Sequence, residues 1–198
     1  MPSEIEAKFL EVNFEELRKR LKELGAICEQ PMRLMRRVLF DYPDRRFQSN
    51  NQSQRLRVRD EGDKVAINYK AKNTSKYAYE VEAIVESFDD MSKLLKAIGL
   101  EPYSFQESKR ETWKYEDVEV VLDIWPWLEP YIEIEGPSEQ SIKKAAKDLG
   151  FSWEDARFGS VDTAYMNQYP GMKESESISD VGDVKFGKLL PKFLKDRS

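Results

Sequence analysis

Charged and apolar residues alternate one by one in several short segments of this chain. Residues 4–9, Glu-Ile-Glu-Ala-Lys-Phe, show the pattern first, and it returns around Arg57 and Arg59 and around Glu133 and Glu135. Because side chains of an extended strand alternate between its two faces, each segment predicts a strand with one apolar and one charged face. The chain is therefore constrained to a β-rich fold with a charged sheet face of both signs.

The strand pattern occurs about eight times, separated by short turns and three helical stretches. We expect strands at 3–12, 34–42, 105–115, 118–125 and 131–135, and three more in the hairpin-like region 54–86. We expect helices at 14–24, 88–98 and 139–149, each preceded by a capping Asn or Ser and followed by Gly. Eight antiparallel strands can close into a barrel. We predict an α+β fold: an eight-stranded antiparallel β-barrel with helices packed outside. A solvated sheet face with salt bridges is the alternative that the pattern leaves open.

The composition excludes several classes of chemistry. The chain has 198 residues, a net charge of −5, one cysteine and no histidine. Without histidine, serine-type triads and most zinc sites are excluded, and one cysteine cannot build a disulfide framework. A metal would have to be held by carboxylates, which favours hard ions such as Mg²⁺ or Mn²⁺. The negative net charge argues against non-specific nucleic-acid binding, so we expect no DNA partner.

The charged strand faces combine acids with bases. The acids are Glu4, Glu6, Glu80, Glu82, Asp123, Glu133 and Glu135. The bases are Lys8, Arg57, Arg59, Lys70 and one or both of Lys109 and Arg110. A cavity lined only by acids would repel itself, and bases with a bound cation offset that repulsion. Arginines bind phosphate oxygens bidentately and clustered carboxylates hold metals, so the set predicts a polyphosphate ligand with its metal ion.

These motifs, in this order, resemble the CYTH superfamily, also called the triphosphate tunnel metalloenzymes. Glu4-x-Glu6-x-Lys8 resembles the family's ExExK signature. The further matching motifs are Leu56-Arg57-Val58-Arg59, Lys70, Glu80-Val81-Glu82, Lys109-Arg110, Asp123 and Glu133-Ile134-Glu135. The order and spacing of these motifs agree with those of the family over about residues 3–168, so we expect one tunnel domain at residues 1–170.

The resemblance implies a tunnel that binds triphosphate substrates together with Mg²⁺ or Mn²⁺. By analogy, the metal ligands would be Glu4, Glu6, Glu133 and Glu135, with support from Asp123 and from Glu80 or Glu82. The phosphate ligands would be Lys8, Arg57, Arg59, Lys70 and Arg110, with Lys109 as the neighbour of Arg110. Glu4 would orient or deprotonate the attacking water, and Lys8 would be the second catalytic residue. Arg37 stands where the family commonly has an acid, and we expect it to face the tunnel as one more phosphate ligand.

The resemblance implies three candidate functions. The first is a metal-dependent triphosphatase that hydrolyses inorganic triphosphate or a small organic triphosphate. The second is a class IV adenylyl cyclase, which forms cyclic AMP and pyrophosphate from ATP. The third is a non-catalytic module that binds polyphosphate or nucleotide. The full set of acids favours an enzyme, because anion binding alone does not require so many carboxylates, and we expect the triphosphatase.

The last part of the chain, residues 171–198, differs in composition from the rest. Residues 173–183 are rich in Ser, Glu and Asp, and a short apolar stripe around Leu190 and Leu194 is interrupted by Pro191. We expect a flexible tail with a short amphipathic segment.

No segment has the length of a membrane span, so we expect a cytoplasmic protein without membrane contact. The sequence leaves monomer and homodimer open.

Overall fold

The computed structural model of the chain describes residues 5–49, 54–71 and 79–197. The strands are β1 (Ile5–Phe9), β2 (Ile27–Asp41), β3 (Gln54–Asp60), β4 (Val65–Ala71), β5 (Tyr79–Val85), β6 (Glu101–Tyr115), β7 (Val118–Ile124), β8 (Tyr131–Gly136) and β9 (Asp183–Val184). The α-helices are α1 (Phe14–Glu23), α2 (Arg46–Ser49), α3 (Phe88–Ala97), α4 (Glu139–Asp148), α5 (Val161–Gln168) and α6 (Lys192–Lys195). Two 3₁₀ turns lie at Trp153–Asp155 and Ile178–Val181. The strands form one sheet that is antiparallel except where β9 pairs with β6, which confirms the predicted α+β class.

The chain divides into two compact units. The first comprises residues up to 33, 108–177 and 188 onward, and the second comprises 34–107 and 178–187. Strands β2 and β6 are long enough to contribute residues to both units. Each unit has its own hydrophobic core.

In the first unit, β1, β8, β7 and the C-terminal half of β6 pair in that order. Ala7 of β1 lies opposite Ile134 of β8, which lies opposite Val120 of β7. These apolar side chains share a face, since cross-strand partners project to the same side. Leu21 of α1 and Ile142 of α4 are fully buried in the same core. Both helices therefore cover the apolar face and leave the opposite face to the charged residues of the same strands.

In the second unit, β2, β3, β4 and β5 pair in order. The apolar face carries Val38, Phe40 and Val58, which pack with Leu95 of α3. Helix α3 begins where Ser87 accepts a hydrogen bond from the Asp90 amide at 3.1 Å. Arg37, Arg57, Arg59, Lys70 and Glu82 lie on the face that the helix does not cover, whereas Arg36 and Asp60 pair on the helix side, with Arg36 over the Phe88 ring.

The structure corrects several sequence-predicted boundaries. Strand β2 begins at Ile27, seven residues before the predicted start, and runs through Pro31, whose fixed φ is compatible with extended backbone. Strand β6 begins at Glu101 rather than near Phe105. Helix α2 lies between the predicted strand at 34–42 and the hairpin-like region 54–86, outside the three predicted helices. None of the helices in the described ranges has the length and hydropathy of a membrane span.

The C-terminal segment, expected to be a flexible tail, packs against the units instead. Ile178 and Val184 are buried in the second unit, where β9 pairs with Phe105 and Gln106 of β6. In the first unit, Leu194 of α6 is fully buried. Although the segment is rich in Ser and acids, its few apolar side chains hold it against the two hydrophobic cores.

We predict that Leu194→Ala will destabilise the protein by about 2–4 kcal/mol, because it removes buried methyl groups and leaves a cavity. Urea unfolding measures this change. Leu189→Ala is the matched control, since Leu189 is 89% exposed and its truncation should cost little. Equal, small effects of both substitutions would show that the segment is not docked.

Candidate functional site

The charged face of the first unit aligns the predicted acids and bases across neighbouring strands. Glu6 lies opposite Glu135, and Lys8 lies opposite Glu133 on the paired strands β1 and β8. Glu135 also lies opposite Glu119 of β7. Because paired residues project to the same side, strand register alone gathers these side chains into one row of charges.

Lys8 is the centre of this group. Its side chain is only 1% exposed, and its Nζ lies 2.8 Å from Glu6 Oε1 and 3.1 Å from Glu133 Oε1. Its backbone is fixed on the other edge of β1, where Lys8 and Arg157 exchange hydrogen bonds of 2.8 and 2.9 Å. Burial opposes the ammonium charge, but Glu133 and Glu6 outweigh it and raise the pKa of Lys8 above its ordinary value. Lys8 is therefore a fixed positive charge and not a base.

Arg110 binds the second oxygen of Glu133 and the carboxylate of Asp123. Its Nε donates to Asp123 Oδ1 at 2.9 Å, and its Nη2 lies 2.5 Å from Asp123 Oδ2 and 3.0 Å from Glu133 Oε2. Burial opposes the guanidinium charge, but Asp123 and Glu133 outweigh it and raise the pKa of Arg110 well above its ordinary value. Both oxygens of Glu133 are thus held by cations, Lys8 on one and Arg110 on the other.

Three carboxylates of this face are close enough to share a metal ion. One oxygen from each of Glu6, Glu133 and Glu135 lies within 4.8 Å of the others. The pKa of Glu135 is raised to about 7, chiefly by burial and next by the charge of Glu133. The positive charge of Arg110 lowers it, and the negative charges of Glu6 and Glu119 raise it further.

These residues fit a divalent ion of the hard class, Mg²⁺ or Mn²⁺. Their donors are all carboxylate oxygens, which is the chemistry that such ions prefer. Within the described residues the side chain of Glu135 has no hydrogen bond or ion pair, so its carboxylate is available as a ligand. A cation at this position would also offset the repulsion that now raises the pKa of Glu135.

The second unit carries a row of basic side chains on the uncovered face of its strands. Arg37 lies opposite Arg59 across β2 and β3, and Arg57 lies opposite Asn68 of β4. Because alternate residues of a strand share a face, Arg57 and Arg59 lie on the same side, as does Lys70, two residues beyond Asn68. Lys70 is exposed, whereas both arginines are partly buried.

Acidic partners hold Arg59 in place. Its Nη2 lies 2.5 Å from Glu61 Oε1 and 3.5 Å from Glu82 Oε2. Glu82 also lies 3.9 Å from Lys64 Nζ. In this structure Glu82, which we predicted as a metal ligand, is therefore a partner of basic side chains within its own unit.

The structure brings the predicted residues into one group in each unit. The first group contains Glu6, Lys8, Arg110, Asp123, Glu133 and Glu135. The second contains Arg37, Arg57, Arg59, Lys70 and Glu82. Lys109 joins neither: it is exposed, and as the neighbour of Arg110 in β6 it projects to the opposite face. Glu4 and the side chain of Glu80 lie outside the described residues.

Two acids of these faces were missed by the sequence reasoning. Glu119 lies on the face of Asp123, four residues along β7, and contributes to the raised pKa of Glu135. Strand periodicity alone could have placed it there. Glu61 lies in the β3–β4 connection, and its pairing with Arg59 had no signal in the sequence.

The aromatic segment Trp125-Pro126-Trp127 is held by hydrogen bonds between side chains and backbone carbonyls. Trp127 has φ 60°, its Nε1 donates to the Lys188 carbonyl at 2.8 Å, and its own carbonyl accepts from the Tyr169 hydroxyl at 2.6 Å. The Tyr165 hydroxyl donates to the Pro126 carbonyl at 2.7 Å. These contacts fasten the β7–β8 connection to the C-terminal part of the chain.

The family model of the CYTH domain matches residues 2–163. The chain belongs to the CYTH family. Members of the family are metal-dependent enzymes that bind triphosphate substrates, in agreement with the carboxylates and bases gathered on the first unit. No curated protein matches the chain.

Solved structures share the CYTH fold. The PH1012 protein from Pyrococcus horikoshii OT3 is 25% identical, with a TM-score of 0.63, covering 81% of this chain and 99% of its own. A candidate adenylate cyclase from Vibrio parahaemolyticus is 14% identical, with a TM-score of 0.68 and coverage of 80% and 95%. A candidate adenylyl cyclase from Hippeastrum, described as having a dominant triphosphatase activity, is 14% identical, with a TM-score of 0.56 and coverage of 88% and 99%.

We predict that stability without metal falls as pH rises toward 7. The pKa of Glu135 is about 7 in the fold against 4.5 ordinarily, so its contribution is fully present below 4.5 and lost as pH rises through 7. The full loss amounts to about 3–4 kcal/mol, since one pKa unit corresponds to about 1.4 kcal/mol. Urea unfolding between pH 4.5 and 8 measures it.

Glu135→Gln should flatten that pH profile, and Mg²⁺ or Mn²⁺ at pH 8 should restore stability to the unsubstituted protein. Glu139→Gln is the control, because Glu139 is an exposed acid at the start of α4. A profile that is unchanged by Glu135→Gln would contradict the crowding of carboxylates described above.

Proposed function

We propose that this chain is a divalent-metal-dependent triphosphatase that hydrolyses inorganic triphosphate or a small organic or nucleoside triphosphate. The observation that carries the proposal is the group formed by Glu6, Glu133 and Glu135 around the buried Lys8, in a chain of the CYTH family. Such a combination of convergent carboxylates with fixed positive charges suits a substrate that is itself a metal salt.

The metal ligands in this proposal are Glu6, Glu133 and Glu135, with Glu4 as a further ligand. Asp123, Glu80 and Glu82 have supporting roles; Asp123 positions Arg110 through two hydrogen bonds. When bound, Mg²⁺ or Mn²⁺ would neutralise phosphate charge and polarise the phosphoryl group under attack.

Lys8 and Arg110 keep the carboxylates in place and supply positive charge. Each binds one oxygen of Glu133, which leaves that side chain a single orientation. We assign Lys8 an electrostatic part in catalysis, because its raised pKa keeps it charged at neutral pH. The residue that orients or deprotonates the attacking water is Glu4 in this proposal.

Phosphate binding is assigned to the basic side chains. Arg57 and Arg59, with Arg37 opposite Arg59, offer planar guanidinium groups that can bind phosphate oxygens bidentately. Lys70 and Arg110 would add positive charges, and Lys109 remains a weaker candidate because of its exposed position on the opposite face of β6.

The competing functions differ in their products. Purified protein is incubated with tripolyphosphate, ATP and thiamine triphosphate, each with Mg²⁺ or Mn²⁺. Release of orthophosphate supports the proposal, whereas cyclic AMP with pyrophosphate from ATP would identify an adenylyl cyclase. Tight binding without turnover would overturn both enzymatic functions in favour of a binding module.

We predict that Glu135→Gln and Glu4→Gln will each lower kcat by about a hundredfold or more while the fold is retained, since each removes a charged metal ligand. Orthophosphate release measures activity, and circular dichroism checks the fold. Glu139→Gln should retain wild-type activity. Full activity of either site variant would remove that residue from the metal site.

We predict that Arg57→Ala will raise KM for the triphosphate about tenfold or more, because a charge-assisted hydrogen bond to phosphate is lost. Arg36→Ala is the matched control: Arg36 is a half-exposed arginine of β2 that pairs with Asp60 and stacks on Phe88. If the two variants have the same KM, Arg57 does not contact the substrate.

A further inference from the structure

One row of charged residues lies at the edge of the proposed metal site in the first unit. Glu6 of β1 lies opposite Glu135 of β8. Glu119 of β7 lies opposite Glu135 on one side and opposite Lys114 of β6 on the other. Because paired residues project to the same side of a sheet, these three carboxyl groups and the ammonium group of Lys114 share the charged face. The four residues are called the outer row below.

The outer row presents its charged groups to solvent. All four of its residues are partly exposed. The next row along the same strands is buried and consists of Lys8, Glu133, Val121 and Thr112. A ligand that enters the charged face at this side of the sheet therefore contacts the outer row before it contacts Lys8.

Lys114 differs from Lys8 and Arg110 in having no acidic partner. Lys8 and Arg110 each contact two carboxylates. In the part of the chain that the structure describes, the side chain of Lys114 makes no hydrogen bond or ion pair, although Glu119 lies opposite. The ammonium group of Lys114 is therefore available to an anion that enters the face.

The anion that fits the outer row is one that brings a metal ion. Three carboxyl groups beside one ammonium group would repel a phosphate that arrived alone. A divalent ion bound by Glu6 and Glu135 would offset that repulsion, and Lys114 would then donate hydrogen bonds to phosphate oxygens beside the metal. This step rests on the proposed function, which assigns the metal and the triphosphate to this face.

The cations of the first unit are spread along its strands. Lys114 lies four residues from Arg110 on β6, which corresponds to about 13 Å between their Cα atoms. The row of Lys8 lies halfway between them, since Thr112 separates the two β6 positions. A short phosphate chain held beside Lys8 and Arg110 would not extend to Lys114, whereas a longer chain would.

We propose that Lys114 binds the outermost phosphate group of the substrate and thereby favours a triphosphate over pyrophosphate. Its ammonium group donates hydrogen bonds to non-bridging oxygens of that phosphate. Lys109 is not suited to this role, because it projects to the opposite face of β6. Lys114 thus determines affinity and chain-length preference and takes no part in bond cleavage.

The test compares Lys114→Gln with the unsubstituted protein. Dissociation constants are measured by calorimetry with Mg²⁺ for analogues of tripolyphosphate and pyrophosphate in which methylene groups replace the bridging oxygens, so that neither is hydrolysed. We expect Lys114→Gln to weaken binding of the triphosphate analogue about tenfold, the effect of one charge-assisted hydrogen bond. Binding of the pyrophosphate analogue should weaken about threefold or less.

Two further variants serve as references. Lys114→Arg keeps the positive charge and should retain most of the affinity for the triphosphate analogue. Lys147→Gln is the control with the same change in charge, because Lys147 is exposed in the last turn of α4, the helix that covers the opposite face of the sheet. Circular dichroism and urea unfolding check that each variant is folded.

A second measurement uses the unsubstituted protein and so does not depend on the folding of a variant. Lysines are acylated with an amine-reactive reagent, and mass spectrometry locates the modified residues. The triphosphate analogue with Mg²⁺ should slow the acylation of Lys114 severalfold and leave that of Lys147 unchanged.

Unchanged affinity of Lys114→Gln, an equal loss for both analogues, or acylation of Lys114 that the triphosphate analogue does not slow would overturn the assignment. Hydrolysis of tripolyphosphate is a separate readout that tests the proposed function. A protein that hydrolyses tripolyphosphate with a KM that Lys114→Gln leaves unchanged would keep the triphosphatase and lose the Lys114 ligand. An inactive protein whose affinity for the triphosphate analogue depends on Lys114 would keep the ligand and lose the triphosphatase.

Discussion

The buried ammonium of Lys8 sets the charge balance of the first unit. Desolvating a lone ammonium costs several kcal/mol, so Lys8 is compatible with the fold only because Glu6 and Glu133 pair with it. Arg110 in turn binds Glu133 and the fully buried Asp123. The two cations thus compensate the charges of three carboxylates, those of Glu6, Glu133 and Asp123. Removal of either cation would leave uncompensated negative charge on this face.

This balance explains why Glu135 differs from the other acids. Of the three carboxylates that converge, Glu6, Glu133 and Glu135, it is the one whose side chain has no ion pair within the described residues. Its neighbours on the sheet are acids. Burial, followed by the charge of Glu133, raises the pKa of Glu135 to about 7, which makes this carboxyl group responsive to an added cation. A divalent cation bound between these carboxylates would relieve their mutual repulsion and lower the pKa of Glu135.

Much of the fold and part of the site could be predicted from the sequence, because strand periodicity and motif order are local signals. Alternation placed Glu6, Lys8, Glu133 and Glu135 on charged faces, and the structure puts them in register. The exposed Lys109 shows the limit of motif matching, since two adjacent residues of a strand cannot share a face. The anchoring of the C-terminal segment was missed because its buried residues, such as Ile178 and Leu194, are scattered among polar ones.

The sequence by itself determined the two-faced strands, the family and the kinds of residue available to bind a metal and phosphate, since these follow from residue order at short range. Only the tertiary structure determined which carboxylate oxygens contact which basic side chains. Register between strands far apart in the chain places Lys8 and Arg110 on opposite oxygens of Glu133, and leaves Glu135 among acids.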